Sequence, residues 1–225
     1  MTEARRVGAR LACVALALVG SRGAISLASA DRYEATLSVR PTGGVAEMRE
    51  DGTDERPVVS SAGLAAGLSW GLRNWLDLGA ELAAGTLGEA TYDRVLALVD
   101  DNPMEGPLRR GTRFAHLRGV ATLRLGVAWV PTVQLALGAG ARHRSSALLR
   151  GQSVWGETIY IPDGQAEAVT IDLVAGVRVG LEHRLTPGWT VGASVGASHA
   201  LGLGTPDLRV AEASLVLSRV WYPNW

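Results

Sequence analysis

Residues 169–185 read VTIDLVAGVRVGLEHRL. Val169, Ile171, Leu173, Ala175, Val177, Val179, Leu181 and Leu185 take alternate positions, with His183 as the polar interruption. Thr170, Asp172, Gly176, Arg178, Gly180, Glu182 and Arg184 take the others, with Val174 among them. A period of two places these sets on opposite faces of a strand, whereas a helix would mix them.

The same alternation recurs along the chain. Leu117, Ala121, Leu123 and Leu125 oppose His116, Arg118, Thr122 and Arg124. Val133, Leu135, Leu137, Ala139 and Ala141 oppose Gln134, Gly138, Gly140 and Arg142. Val191, Ala193, Val195 and Ala197 oppose Thr190, Gly192, Ser194 and Gly196. Similar patterns centre on Leu37, Leu68, Leu78 and Leu215. The reading predicts eight strands near residues 33–43, 58–71, 75–87, 113–128, 132–145, 167–184, 189–201 and 208–222, with ends good to about two to four residues. Links after the second, fourth and sixth strands are tight. Those after the first, third and fifth are polar and roughly fifteen to twenty-five residues long. They include residues 50–56 (EDGTDER) and the stretch 87–111.

Before the first strand, Arg5, Arg6 and Arg10 precede a ten-residue apolar run, LACVALALVG at 11–20. That run is too short to span a bilayer as a helix. With the small residues of 27–30 it reads as an export signal cleaved after Ala30, which leaves 31–225 as one barrel domain. Cys13, the single cysteine, lies in that segment, so the remainder carries no disulfide framework. The 22 basic residues are all arginine, which reads as codon bias. Residues 1–30 hold four Arg and one Glu, so 18 basic and 21 acidic residues follow, a net of −3. No basic patch recommends a nucleic-acid partner.

No later run is apolar enough for a membrane helix, and charges interrupt every stretch. If the protein is a membrane protein, only a closed barrel remains, because lipid cannot solvate an open sheet edge. Alternate connections of an up-and-down barrel emerge at the same end. Tight turns at one end and long loops at the other is the organisation of bacterial outer-membrane barrels. Trp70 and Trp75 flank the first tight turn, Trp129 the second and Trp189 the third; Trp221 and Trp225 return to that end, with Tyr33 and Tyr222 beside them. A one-sided aromatic girdle is expected at a membrane–water interface. Phe114, Tyr92, Trp155 and Tyr160 are the aromatics assigned to the opposite rim.

This arrangement resembles the small outer-membrane barrels of the OmpA-transmembrane-domain, OmpX and OmpW type. The resemblance rests on architecture and covers the chain after the export signal. It implies an eight-stranded antiparallel up-and-down transmembrane β-barrel exported to the bacterial outer membrane. It also implies contact with outer-membrane lipid and lipopolysaccharide, and recognition of an aromatic C-terminus by the barrel-assembly machinery. The last strand here matches at Trp225 but departs at Arg219 and Pro223.

Alternation alone does not say which face meets lipid, and a soluble periplasmic lipocalin-like binding barrel would show the same period. The glycine- and serine-rich polar face, the simple Leu/Val/Ala face and the tryptophan rim favour lipid outside. The inward charges are then Glu34, Arg40, Asp77, Glu81, Arg118, Arg124, Arg142, Asp172, Arg178, Glu182 and Glu212. Side chains fill an eight-stranded barrel, and unpaired charges there would be costly. The expectation is an occluded, ion-paired lumen, with a small-solute porin-like channel as the alternative.

No phosphate loop, nucleophile elbow, cofactor motif or metal-ligand spacing appears around His116, His143, His183 or His199. His143 and Ser145 are the catalytic candidates. They are placed on the lipid face at the outer end of the fifth strand, and they resemble the His-x-Ser pair of lipid A 3-O-deacylase. A base and nucleophile so placed would suit a lipid ester; interfacial polar residues are the plainer reading. The family's Asn after the serine is Ser146 here. Arg109, Arg110, Arg150, Tyr92, Trp155 and Tyr160 are the loop residues available for binding a partner, which the sequence does not name. The function expected is structural or through surface loops, without catalysis.

Overall fold

The computed structural model describes residues 34–99, 102–126, 128–145, 149–153, 155–156, 158–161, 168–186, 188–203 and 206–221. Residues 1–30, read as the export signal, lie outside them, as do Tyr33, Tyr222 and Trp225.

The chain is all-β. The strands are β1 (Ala35–Glu47), β2 (Val58–Arg73), β3 (Leu76–Val99), β4 (Asn102–Arg124), β5 (Trp129–Arg144), β6 (Leu149–Ser153), β7 (Thr158–Ile161), β8 (Ala168–Thr186), β9 (Trp189–Gly202) and β10 (Leu208–Trp221). Each described pairing is antiparallel. The ring runs β3-β2-β1-β10-β9-β8-β5-β4, and β3–β4 pairing closes it. These eight strands form an up-and-down barrel and correspond to the eight expected from alternation. Closure removes the lateral edges that would otherwise need covering.

Two features differ from the sequence reading. The stretch expected as a long loop after the third strand is a continuation of β3 and β4, paired as far as Val99↔Asn102. The signal fails there because the register shifts twice, between Leu87 and Ala90 and between Tyr92 and Val95. Each bulge resets the parity that alternation relies on. Pro103 and Pro107 also read as loop because each lacks a ladder donor. The connection after the fifth strand likewise holds a hairpin, β6–β7, and β6 pairs with the outer part of β4.

The tight turns are as short as expected. In the turn before β9, Gly188 has φ 91°, a left-handed conformation that costs glycine little.

The burial is inverted relative to a soluble domain. Outward Leu117, Leu137 and Leu215 are 62%, 69% and 65% exposed, while inward Glu81 and Asp172 are 1% and 0% exposed. Trp70, Trp75, Trp129, Trp189 and Trp221 all lie outward and partly exposed at the tight-turn end. His183 stacks on Trp129 at 4.3 Å between ring centroids. Arg219 lies over Trp189, 5.1 Å from its centroid. That cation–π contact accounts for the arginine that interrupts the apolar pattern of the last strand.

Candidate functional site

Glu34, Arg40, Asp77, Glu81, Arg118, Arg124, Arg142, Asp172, Arg178 and Glu182 are buried and Glu212 is half-buried. Register explains how they meet. Glu81 and Arg118 are direct cross-strand partners on β3 and β4. Arg178 and Glu212 are both register partners of Gly196, on either side of β9. Gly140 likewise stands between His116 and Asp172. A Cβ on Gly196 would fall 2.5 Å from Arg178 Cγ, and one on Gly140 would fall 2.5 Å from a ring carbon of His116. The glycines of the polar face thus leave room for a side chain to reach its partner across an intervening strand.

The charges form tiers. Nearest the tight turns, Arg124 Nε lies 2.8 Å from Asp77 Oδ2, and its Nη1 lies 3.8 Å from Glu182. Arg184 approaches Glu34 at 3.8 Å. In the middle tier one carboxylate, Glu81, accepts from Arg40 at 2.5 Å, Arg118 at 2.6 Å and Arg178 at 3.0 Å. Arg178 also donates to Glu212 at 2.7 Å. Gln134 Oε1 accepts from Arg40 at 2.9 Å and from Arg178 at 2.8 Å, and its amide donates to Thr122 at 3.1 Å. Above these, Arg142 donates to Asp172 at 2.8 Å, and His116 Nε2 lies 3.4 Å from the other oxygen. These three tiers hold six arginines (40, 118, 124, 142, 178, 184) and six carboxylates (34, 77, 81, 172, 182, 212), while Arg110 and Arg144 lie farther toward the long-connection end, where both meet Glu50. Such balance is what a low-dielectric interior requires.

Sequence reasoning missed the next level. Toward the long-connection end the interior turns apolar. Met48, Val59, Leu87, Ala90, Tyr92, Val95, Leu108, Val174, Ala200 and Leu208 form a buried cluster with Ala46, and Phe114 and Val210 pack against it. Tyr92 and Phe114, assigned to a rim by sequence, belong instead to this interior. Phe114 stacks on His116 at 5.1 Å. Between the cluster and the ionic tiers is a void of ≈ 20 Å³ bordered by His116, Arg118, Glu212, Val174 and Leu208, among others. That is room for about one water.

The β1–β2 connection folds over this cluster. Glu50 accepts from Arg110 Nε and Nη2, both at 3.2 Å, and from Arg144 at 3.0 Å. Glu55 accepts the backbone N–H groups of Asp93 and Arg94 at 2.8 and 3.0 Å, and Gly52 O accepts that of Leu96 at 3.1 Å. These bonds occupy the edge that β3 presents beyond β2. The Tyr92 phenol is raised above its ordinary pKa by burial first and by the Glu50 carboxylate second.

His143 faces outward, half-buried, directly opposite Arg113. The Ser145 hydroxyl accepts the Gly111 N–H at 3.0 Å and donates to the Gly111 carbonyl at 3.1 Å. Arg109 and Arg150 are exposed, Trp155 is 82% exposed between β6 and β7, and the Tyr160 side chain lies outside the described residues. Among the described residues no group of three or more His, Cys, Asp or Glu is arranged to hold a metal ion.

Fold and interior together define a class: a closed eight-stranded barrel with ionic contents and an apolar exterior. No protein-family model and no curated protein matches the chain in sequence. Solved structures with similarity include Ail of Yersinia pestis, at 12% identity and TM-score 0.47 over 85% of this chain and 100% of that one. Neisserial surface protein A shows 10% identity and TM-score 0.45 over 81% of this chain and 96% of that one. The N-terminal β-barrel domain of Pseudomonas aeruginosa OprF shows 12% identity and TM-score 0.38 over 83% and 98%.

Proposed function

We propose that this chain spans a bacterial outer membrane as a barrel with an occluded, ion-paired lumen, without catalysis, acting structurally or through its outer connections. The observation that carries the reading is the inversion of burial. Large aliphatic side chains cover the outside of a closed barrel, and in the ionic tiers within it six arginines stand against six carboxylates. In water such an exterior far exceeds the apolar patches tolerated by soluble monomers. In lipid it is the stable arrangement. A 14-residue strand such as β9, tilted by about 40°, rises roughly 35 Å, enough for a hydrocarbon band of ~25 Å.

Occlusion follows from the same interior. The ionic tiers fill the middle, the apolar cluster lies above them, and Glu50 fastens the β1–β2 connection over both. A polar interior alone would suit a channel; an apolar cluster in the path of a solute does not. The Ser145 hydroxyl is engaged by both the N–H and the carbonyl of Gly111, which supports the non-catalytic reading. Outer-membrane lipid and lipopolysaccharide are the partners proposed for the exterior, and the barrel-assembly machinery for biogenesis.

Fractionation of expressing cells tests the location: the protein is expected in the outer-membrane fraction, and a soluble periplasmic product overturns the reading. Planar-bilayer recording tests the lumen. No steady conductance is expected, and sustained openings would refute occlusion. Lipid A from cells with and without the gene is expected to carry identical acylation; a difference assigns an enzyme instead.

A further inference from the structure

We infer that Arg109 and Arg113, with His143 beside them, form an outward-facing site for the phosphate of a lipid headgroup at the long-connection end. The inference rests on the lipid-facing reading of the exterior. Arg113 is exposed on β4 and is the register partner of His143 on β5 and of Thr86 on β3. Directly paired side chains on one face stand about 5 Å apart at Cβ, so the His143 ring flanks the Arg113 guanidinium. Arg109 lies four residues along the same face, roughly 13 Å away, and is also exposed.

The height of the site selects the ligand. On the same face, the residues next along β4 toward the tight turns are Ala115 and Leu117; on β5 they are Ala141, Ala139 and Leu137. Across β5, His143 meets Val169, which is 70% exposed. The arginines therefore stand where the outward surface changes from hydrocarbon-compatible to charged. Lipid phosphates occupy that level, while a soluble ligand would be met by the connections beyond it.

The charge balance points the same way. Three other cations on the strands at this end do have a carboxylate: Arg94 has Glu105, Arg209 has Glu47 at 4.0 Å, and His199 has Asp207 at 3.3 Å. Among the described residues, no carboxylate lies within 4.0 Å of Arg109 or Arg113. Guanidinium matches phosphate geometry through paired N–H donors. Glu89 is exposed in the β3 bulge opposite Gly111 but is in ion-pair contact with neither arginine, and two guanidiniums without such a contact at an interface suit an anionic headgroup.

The test uses the full-length protein folded into phosphatidylcholine vesicles containing either bisphosphorylated or dephosphorylated lipid A. Lipid retained after gentle detergent extraction is measured by native mass spectrometry. Wild type is expected to retain the phosphorylated lipid selectively. The Arg109→Gln/Arg113→Gln double variant is expected to lose about 25-fold in apparent affinity, about fivefold per arginine. Arg94→Gln and Arg209→Gln serve as controls and should change little. Equal retention by the double variant, or of the dephosphorylated lipid, overturns the inference. Displacement by millimolar inorganic phosphate would also overturn it, by showing a site for the free anion. If wild type fails to insert into either vesicle, the lipid-facing reading itself fails, an outcome separate from insertion with unselective retention.

Discussion

Removing the charge of Glu81 by Glu81→Gln should be the most damaging conservative change available in the lumen. The carboxylate is 1% exposed and holds Arg40, Arg118 and Arg178 at 2.5, 2.6 and 3.0 Å. After the change Arg178 keeps Glu212 at 2.7 Å. Arg40 keeps only the Gln134 carbonyl oxygen at 2.9 Å among its described hydrogen-bond acceptors. Arg118 loses its described carboxylate, and the new amide turns a donor toward guanidinium donors. Breaking one buried pair costs about 3–5 kcal/mol. Two guanidiniums are orphaned here, and their costs are not additive. A loss of at least ~4 kcal/mol is the working figure, or a midpoint shift of about 2 M at a slope of ~2 kcal/mol per M. The assay is urea unfolding in phosphatidylcholine vesicles, followed by tryptophan emission and by migration of unheated samples on a gel. Glu81→Gln combined with Arg118→Gln should recover part of the loss, because it removes one of the stranded charges. A midpoint within about 0.5 M of wild type, near 1 kcal/mol at the same slope, would refute the view that this network is desolvated and structural.

Four further outcomes follow. Arg124→Ala leaves Asp77 and Glu182 without their shared cation; it should cost a few kcal/mol, and unchanged gel migration on heating would contradict this. Gly196→Val should displace the Arg178 side chain and cost about 1–3 kcal/mol, while Ala197→Val on the opposite face should be near neutral by the same unfolding assay. Leu135→Arg, outward and 57% exposed, should destabilise the barrel in bilayers by about 2–4 kcal/mol; no effect there would argue for water outside. The raised Tyr92 pKa means that folding favours the neutral phenol. Its contribution is complete below the ordinary tyrosine pKa of about 10 and declines as pH rises beyond it. Urea midpoints at alkaline pH should therefore fall more for wild type than for Tyr92→Phe.

Much of this molecule was legible in one dimension because the side-chain period of a strand is two. Parity alone separated eleven charges from the aliphatic set and survives errors of a few residues at strand ends, yet Arg110, Arg144 and Arg184 were not among them. The candidates His143 and Ser145 were located on β5 and just after it, yet their surroundings were not. That Ser145 serves the Gly111 peptide depends on how β4 and β5 align, which neither segment reveals alone.

The sequence by itself determined the eight strands of the ring, their two faces and a first set of charges on the polar face, but not the β6–β7 hairpin or the inward Arg110, Arg144 and Arg184. The former are local properties, written in alternation and in the lengths of the links. Only the tertiary structure decided who pairs with whom. Glu81 collects three arginines from three other strands, Arg178 reaches Glu212 across Gly196, and Glu50 returns to clasp Arg110 and Arg144. It alone also showed the interior turning apolar at the level of the β3 bulges. Register and closure set these distances, and both are collective properties of the ring. A bulge of one residue shifts every contact beyond it, and residue order along a single strand carries no record of that shift.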